Sequence, residues 1–182
     1  MKFATAIRTA AMVLALSIPG FAHAASGGDH AGWVGALGGL SIPNASNTSA
    51  RMAVGVTGGA MLGSEMGIGG YYLTSSKDET GGKFGYDLYG VEFTYHFEGE
   101  AAGVFLGGRV GTSKITGGAV TTSPLNYGAL AGVNKFLGDS FSIGGEVSFF
   151  SVPESNTTVA TVPVTINGFT MLNFLASAKF WF

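Results

Sequence analysis

The chain predicts an all-β fold, an eight-stranded antiparallel up-and-down transmembrane β-barrel, and three observations carry that expectation. Charged residues make up 11% of the sequence and hydrophobic ones 46%, too little charge for a surface that faces water on all sides, where about a quarter of residues are charged. Beyond residue 24 no run of about eighteen apolar residues occurs, so a helical span is excluded. What remains reads as eight segments separated by turn residues, several of them alternating between apolar and polar residues. Lipid offers no partner to a backbone amide, and only helices and closed barrels satisfy every such group internally. The 31 glycines and few prolines suit strands that curve and turn.

The first segment is read as a leader. Lys2 and Arg8 give a basic start, residues 10–18 are apolar, and Ala22-His23-Ala24 is a small-residue cleavage site. This is the order of a secretory signal peptide, residues 1–24, with cleavage expected after Ala24. Residues 25–182 then form the barrel domain, with no room for a second domain such as a peptidoglycan-binding one. Seven Lys and Arg against eleven Asp and Glu leave that part at net −4. No basic patch exists for nucleic acid.

The strands are expected at 32–41, 51–62, 66–74, 85–97, 102–114, 127–137, 141–152 and 168–182. Connections alternate in length, long at 42–50, 75–84, 115–126 and 153–167, short at 63–65, 98–100 and 138–140. Gly63-Ser64-Glu65, Glu98-Gly99-Glu100 and Gly138-Asp139-Ser140 have hairpin turn chemistry. Long loops on one side and tight turns on the other are the pattern of extracellular loops and periplasmic turns. The loops around Ser46, Glu79, Val120 and Val159 should therefore face outward. Thr157 to Ile166 is rich in Thr and Val, so the flanks of the fourth loop should pair as strands, with Pro153 and Pro163 as interruptions.

Alternation sets the faces. Tyr89, Val91, Phe93, Tyr95 and Phe97 share one side of the fourth strand, and Phe141, Ile143, Val147 and Phe149 one side of the seventh. The opposite sides carry small, polar or charged residues, among them Glu92, Arg109, Glu146 and Lys179. These four are expected to point inward and to pair as an interior charge network, because an unpaired buried charge is costly and an eight-stranded barrel is just wide enough for its side chains to fill. The second, third and sixth strands resist phasing, for which a bulge is one explanation. Aromatic residues near strand ends are expected to form two membrane girdles: Trp33, Tyr95, Phe97, Phe136, Phe141, Phe180 and Trp181 toward the turns, and Tyr72, Tyr86, Phe150 and Phe169 toward the loops.

The last strand carries the most specific pattern. Phe174, Phe180 and Phe182 lie on one face and the sequence ends on Phe182, which resembles the C-terminal assembly signal of outer-membrane proteins. With the opening Gly32-Trp33-Val34-Gly35-Ala36 and the glycine-rich hairpins, the chain resembles the small barrels related to the OmpA transmembrane domain, OmpX and OmpW. The resemblance implies a Gram-negative outer membrane as location, the barrel assembly machinery as a partner, and outer-membrane lipid and lipopolysaccharide as surroundings.

Catalysis finds no support. With His23 in the leader and His30 in the N-terminal segment, His96 is the sole histidine candidate, and it lies beside a short turn, where a polar rim residue is expected. The chain has no cysteine and no ligand cluster, so neither a metal nor a cofactor is expected. Asn44, Asn47 and Asn156 head glycosylation triplets that here mark only polar loops. The leading reading is a non-enzymatic barrel with a side-chain-filled lumen, contributing to envelope integrity or offering its loops to a surface partner. A narrow pore or a lateral conduit for small apolar solutes is the second, and a lipid A-modifying enzyme the third.

Overall fold

A computed structural model describes residues 30–45, 48–79, 82–97, 103–117, 120–159 and 162–182. The expected leader and the Glu98-Gly99-Glu100 turn lie outside the described residues. Eleven strands follow in order: β1 (Gly32–Asn44), β2 (Arg51–Leu62), β3 (Met66–Glu79), β4 (Gly82–Phe97), β5 (Gly103–Gly117), β6 (Val120–Thr122), β7 (Leu125–Phe136), β8 (Phe141–Val152), β9 (Ser155–Val159), β10 (Val162–Ile166) and β11 (Phe169–Trp181). Eight of them, β1 to β5, β7, β8 and β11, close into an antiparallel barrel, with β4 paired to β5 and β11 to β1.

The expected strands are present, and they run further on the loop side. Residues 75–79 and 82–84, expected as loop, continue β3 and β4 as a ladder from Ser75↔Tyr86 to Glu79↔Gly82. β5 reaches Gly117 and folds back through β6. Above the membrane a hairpin still satisfies its amides by pairing, so nothing obliges it to stop where the lipid does. The fourth loop forms the separate hairpin β9–β10. Pro153 does interrupt, between β8 and β9, whereas Pro163 lies within β10 opposite Thr158. Proline is tolerated on such an outer strand because its missing donor can face away from the partner.

Each barrel ladder keeps one register, including those of β2, β3 and β7. The bulge is therefore not needed. These strands resist phasing because apolar residues stand on both rows, inward at Ala53, Tyr71, Leu73 and Leu130 and outward at Val54, Ile68 and Val133. The turn after β2 depends on Gly63, whose φ of 78° is left-handed and strains any residue with a Cβ. At the seam, Ala31 and Gly32 donate backbone hydrogen bonds to the Phe182 carbonyl at 2.5 and 2.9 Å, and the Phe182 amide donates to Gly32 at 3.1 Å.

Faces follow the alternation. Phe93, Val104, Leu106, Val110, Phe141, Phe149, Phe174, Phe180 and Phe182 all point outward and are exposed to the surroundings, the arrangement a lipid-facing wall needs. Glu92, Arg109, Ser113, Ser142, Glu146, Asn173 and Lys179 are buried inside.

Candidate functional site

The interior is layered. On the loop side Leu37, Leu73, Leu88, Ile115, Phe150 and Met171 belong to one buried apolar cluster. Three residues expected in the outer girdle, Tyr86, Phe150 and Phe169, belong to it too. They sit inside because their parity matches the inward row: Phe150 alternates with Phe149, which faces lipid. Of the residues expected in the loop-side girdle only the half-buried Tyr72 remains on the outer wall, where the exposed Tyr89 and Tyr127 join it.

Below this cluster lies a charge triad. The β4–β5 ladder sets Glu92 directly opposite Arg109, and Arg109 Nε and Nη2 donate to Glu92 Oε2 at 2.9 and 2.7 Å. Across β7, the same guanidinium donates from Nη1 and Nη2 to both carboxylate oxygens of Glu146 at 2.5 and 3.0 Å. The β7 residues opposite Arg109 and Glu146 are Gly128 and Gly132, so neither of these positions puts a side chain in the way. The Thr57 hydroxyl donates to Glu92. The Tyr71 ring lies 5.1 Å from the guanidinium carbon, and its hydroxyl donates to Asn126 at 2.5 Å. Thr57 and Tyr71 come from two of the strands that resisted phasing, and Asn126 lies in a stretch expected as loop that the structure makes part of β7, which is why the sequence does not single them out.

Lys179 corrects the expectation of a four-membered network. It points inward and is buried, but its Nζ rests over the Phe105 ring, 4.2 Å from the centroid, and 6.0 Å from that of Trp181. The fork of Arg109 already takes both carboxylates, and an aromatic face is an electron-rich partner for the ammonium. Two carboxylates and one guanidinium leave the triad with an excess negative charge, which Lys179 offsets from the next layer.

That layer, on the turn side, is aromatic. Trp33 and Trp181, expected in the girdle, are instead 2% and 3% exposed inside the barrel with centroids 6.0 Å apart. Trp181 Nε1 donates to Ser142 Oγ at 2.8 Å, and Phe136 and His30 close the mouth against its ring at 5.6 and 5.5 Å. Glycines make the space: a Cβ on Gly132 would fall 2.3 Å from the Phe105 ring, and one on Gly59 2.7 Å from the Trp33 ring. His96 stacks on Phe105 at 5.7 Å with its Nε2 3.0 Å from Thr94 Oγ1. Among the described residues no group of three or more His, Cys, Asp or Glu side chains is placed to hold a metal ion.

Neither a protein-family profile nor a curated protein matches the chain. Solved structures do. Neisserial surface protein A superposes with a TM-score of 0.67 at 14% identity, covering 84% of this chain and 97% of that one. The fold is that of a small outer-membrane β-barrel. OprG from Pseudomonas aeruginosa shares this small-barrel fold with a TM-score of 0.58 at 11% identity, covering 85% and 97% of the two chains. So does Ail, the attachment invasion locus protein of Yersinia pestis, at 0.55 and 10% identity over 84% and 99%. In each case the small barrel accounts for nearly the whole of the solved chain.

Proposed function

We propose that this chain is a non-enzymatic barrel of the cell outer membrane whose lumen is closed by its own side chains, and that it serves envelope integrity or presents its loops to a surface partner. The single observation that carries the reading is the Glu92–Arg109–Glu146 triad. It joins β4, β5 and β8 across the interior, with apolar packing above and aromatic packing below. An ion crossing the barrel would have to displace that pair of bridges, which bring every donor nitrogen of Arg109 onto a carboxylate. In a planar bilayer the purified protein should show little steady conductance. Large, stable openings would sink the closed-lumen reading and put a narrow pore or conduit for small solutes first.

The orientation belongs to the same proposal. Cysteines at Lys77 and Thr165, exposed at the loop end, should react with an impermeant thiol reagent on intact cells, while Ser64 and Asp139 variants at the turns stay silent. Labelling only at the turns would reverse the barrel. Phe174 and Phe180 on β11 and Phe182 just beyond it, all outward, are the residues proposed to meet the barrel assembly machinery during insertion.

A further inference from the structure

The outward wall is not uniformly apolar. On β3, β4 and β5 the registers align Tyr72, Tyr89 and Thr112 in one row and Thr74, Asp87 and Lys114 in the next row toward the loops. Rows nearer the turns are apolar, as in Gly70, Val91 and Val110. Neighbouring strands stay apolar at the height where these three turn polar: β2 sets Val54 against Thr74, and β7 sets Leu125, 67% exposed, against Thr112. The polar rows are thus a local platform, standing where the hydrocarbon ends on this sector. Here too the strands rise highest, β4 running to 16 residues against 12 in β2, β7 and β8, and Gly85 in the row above keeps the platform flat.

Its polar groups are half used. Tyr72 and Thr74 donate to Asp87 at 2.9 and 2.7 Å, both to Oδ1, which leaves Oδ2 to accept from elsewhere. Lys114 stands directly opposite on β5 and is exposed, yet among the described residues neither an ion pair nor a hydrogen bond joins it to Asp87. A carboxylate and an ammonium held side by side without pairing, with hydroxyls around them and two tyrosine rings beneath, suit a ligand that carries an anion and several hydroxyls. We propose that this platform binds the phosphorylated saccharide headgroup of a membrane glycolipid: Lys114 takes the phosphate, Asp87 Oδ2 and the threonines take sugar hydroxyls and amides, and the acyl chains run down the apolar rows below. The inference rests on the membrane-barrel reading.

The full chain, inserted in phosphatidylcholine nanodiscs doped with lipid A, dephosphorylated lipid A or phosphatidylglycerol, is released and its retained lipid identified by native mass spectrometry. Lipid A should be retained in preference to phosphatidylglycerol. Lys114→Gln should lower lipid A retention about tenfold, the loss of one charge-assisted hydrogen bond, and leave dephosphorylated lipid A unchanged. Asp87→Asn should lower both forms, and Lys135→Gln, outward on β7 at the turn end, neither. Equal retention of phosphatidylglycerol and lipid A, or no response to Lys114→Gln in a barrel of normal heat-modifiable mobility, overturns the headgroup site alone. Failure of the unmodified chain to insert would instead overturn the membrane reading beneath it.

Discussion

Arg109→Ala is expected to lower the unfolding free energy of the barrel by about 3 to 5 kcal/mol, the cost of leaving a buried charge without its partner. Here the change strands two carboxylates at once. Glu92 and Glu146 are 2% and 3% exposed, and without the guanidinium they repel each other while water is kept out by the layers on either side. Part of the loss is recoverable: Glu92→Leu, Arg109→Met and Glu146→Leu together should restore most of the stability, because replacing a whole buried ion network with apolar groups of similar volume is often neutral or better. The same single variant should open more often in a planar bilayer. Urea titration of folded protein in phospholipid vesicles, followed by heat-modifiable gel mobility, reads the stability. A loss below about 1 kcal/mol, the range of solvent-exposed pairs, would mean that water already reaches the triad.

Trp181→Ala should be nearly as damaging, about 3 to 5 kcal/mol for removing a buried tryptophan. Its ring lies near Trp33, Phe136, His30 and His96, and its indole nitrogen has a partner in Ser142. Phe182, the next residue, is 50% exposed on the outer wall, and its truncation should change the measured stability far less. In cells the order should invert, with Phe182→Ser reducing the amount of heat-modifiable assembled barrel more than Trp181→Ser does. Equal losses of stability for the two residues would contradict the opposite facing of Trp181 and Phe182.

That pair also shows how much was legible beforehand. The alternation of Phe180, Trp181 and Phe182 is enough to place the tryptophan inside, just as Phe149 outside implies Phe150 inside. Distance from a strand end does not by itself place a ring on the outer wall; in a barrel parity decides. The inward direction of Glu92, Arg109, Glu146 and Lys179 was readable for the same reason. Which of them touch was readable only for Glu92 and Arg109, whose strands form one hairpin. Contacts across the lumen depend on strand stagger, and they depend on gaps such as those at Gly128 and Gly132, which no local pattern encodes. Apolar residues on both rows hid the phase of β2 and β3, and with it the roles of Thr57 and Tyr71, while Asn126 fell in a segment expected as loop. On the outer wall the polar row of Thr74, Asp87 and Lys114 emerges only when three registers are aligned.

The β1–β11 seam has a kinetic meaning. Its partners, from Trp33↔Trp181 to Asn44↔Thr170, come from opposite ends of the chain, whereas most other barrel ladders join strands that follow one another. Loop-closure entropy rises with the length of chain enclosed, and long-range pairings slow folding most, so the seam should be the last ladder to zip. The protein has two tryptophans, and they face each other across that seam. Its intrinsic fluorescence is therefore a built-in clock for the moment an open, curling sheet becomes a ring.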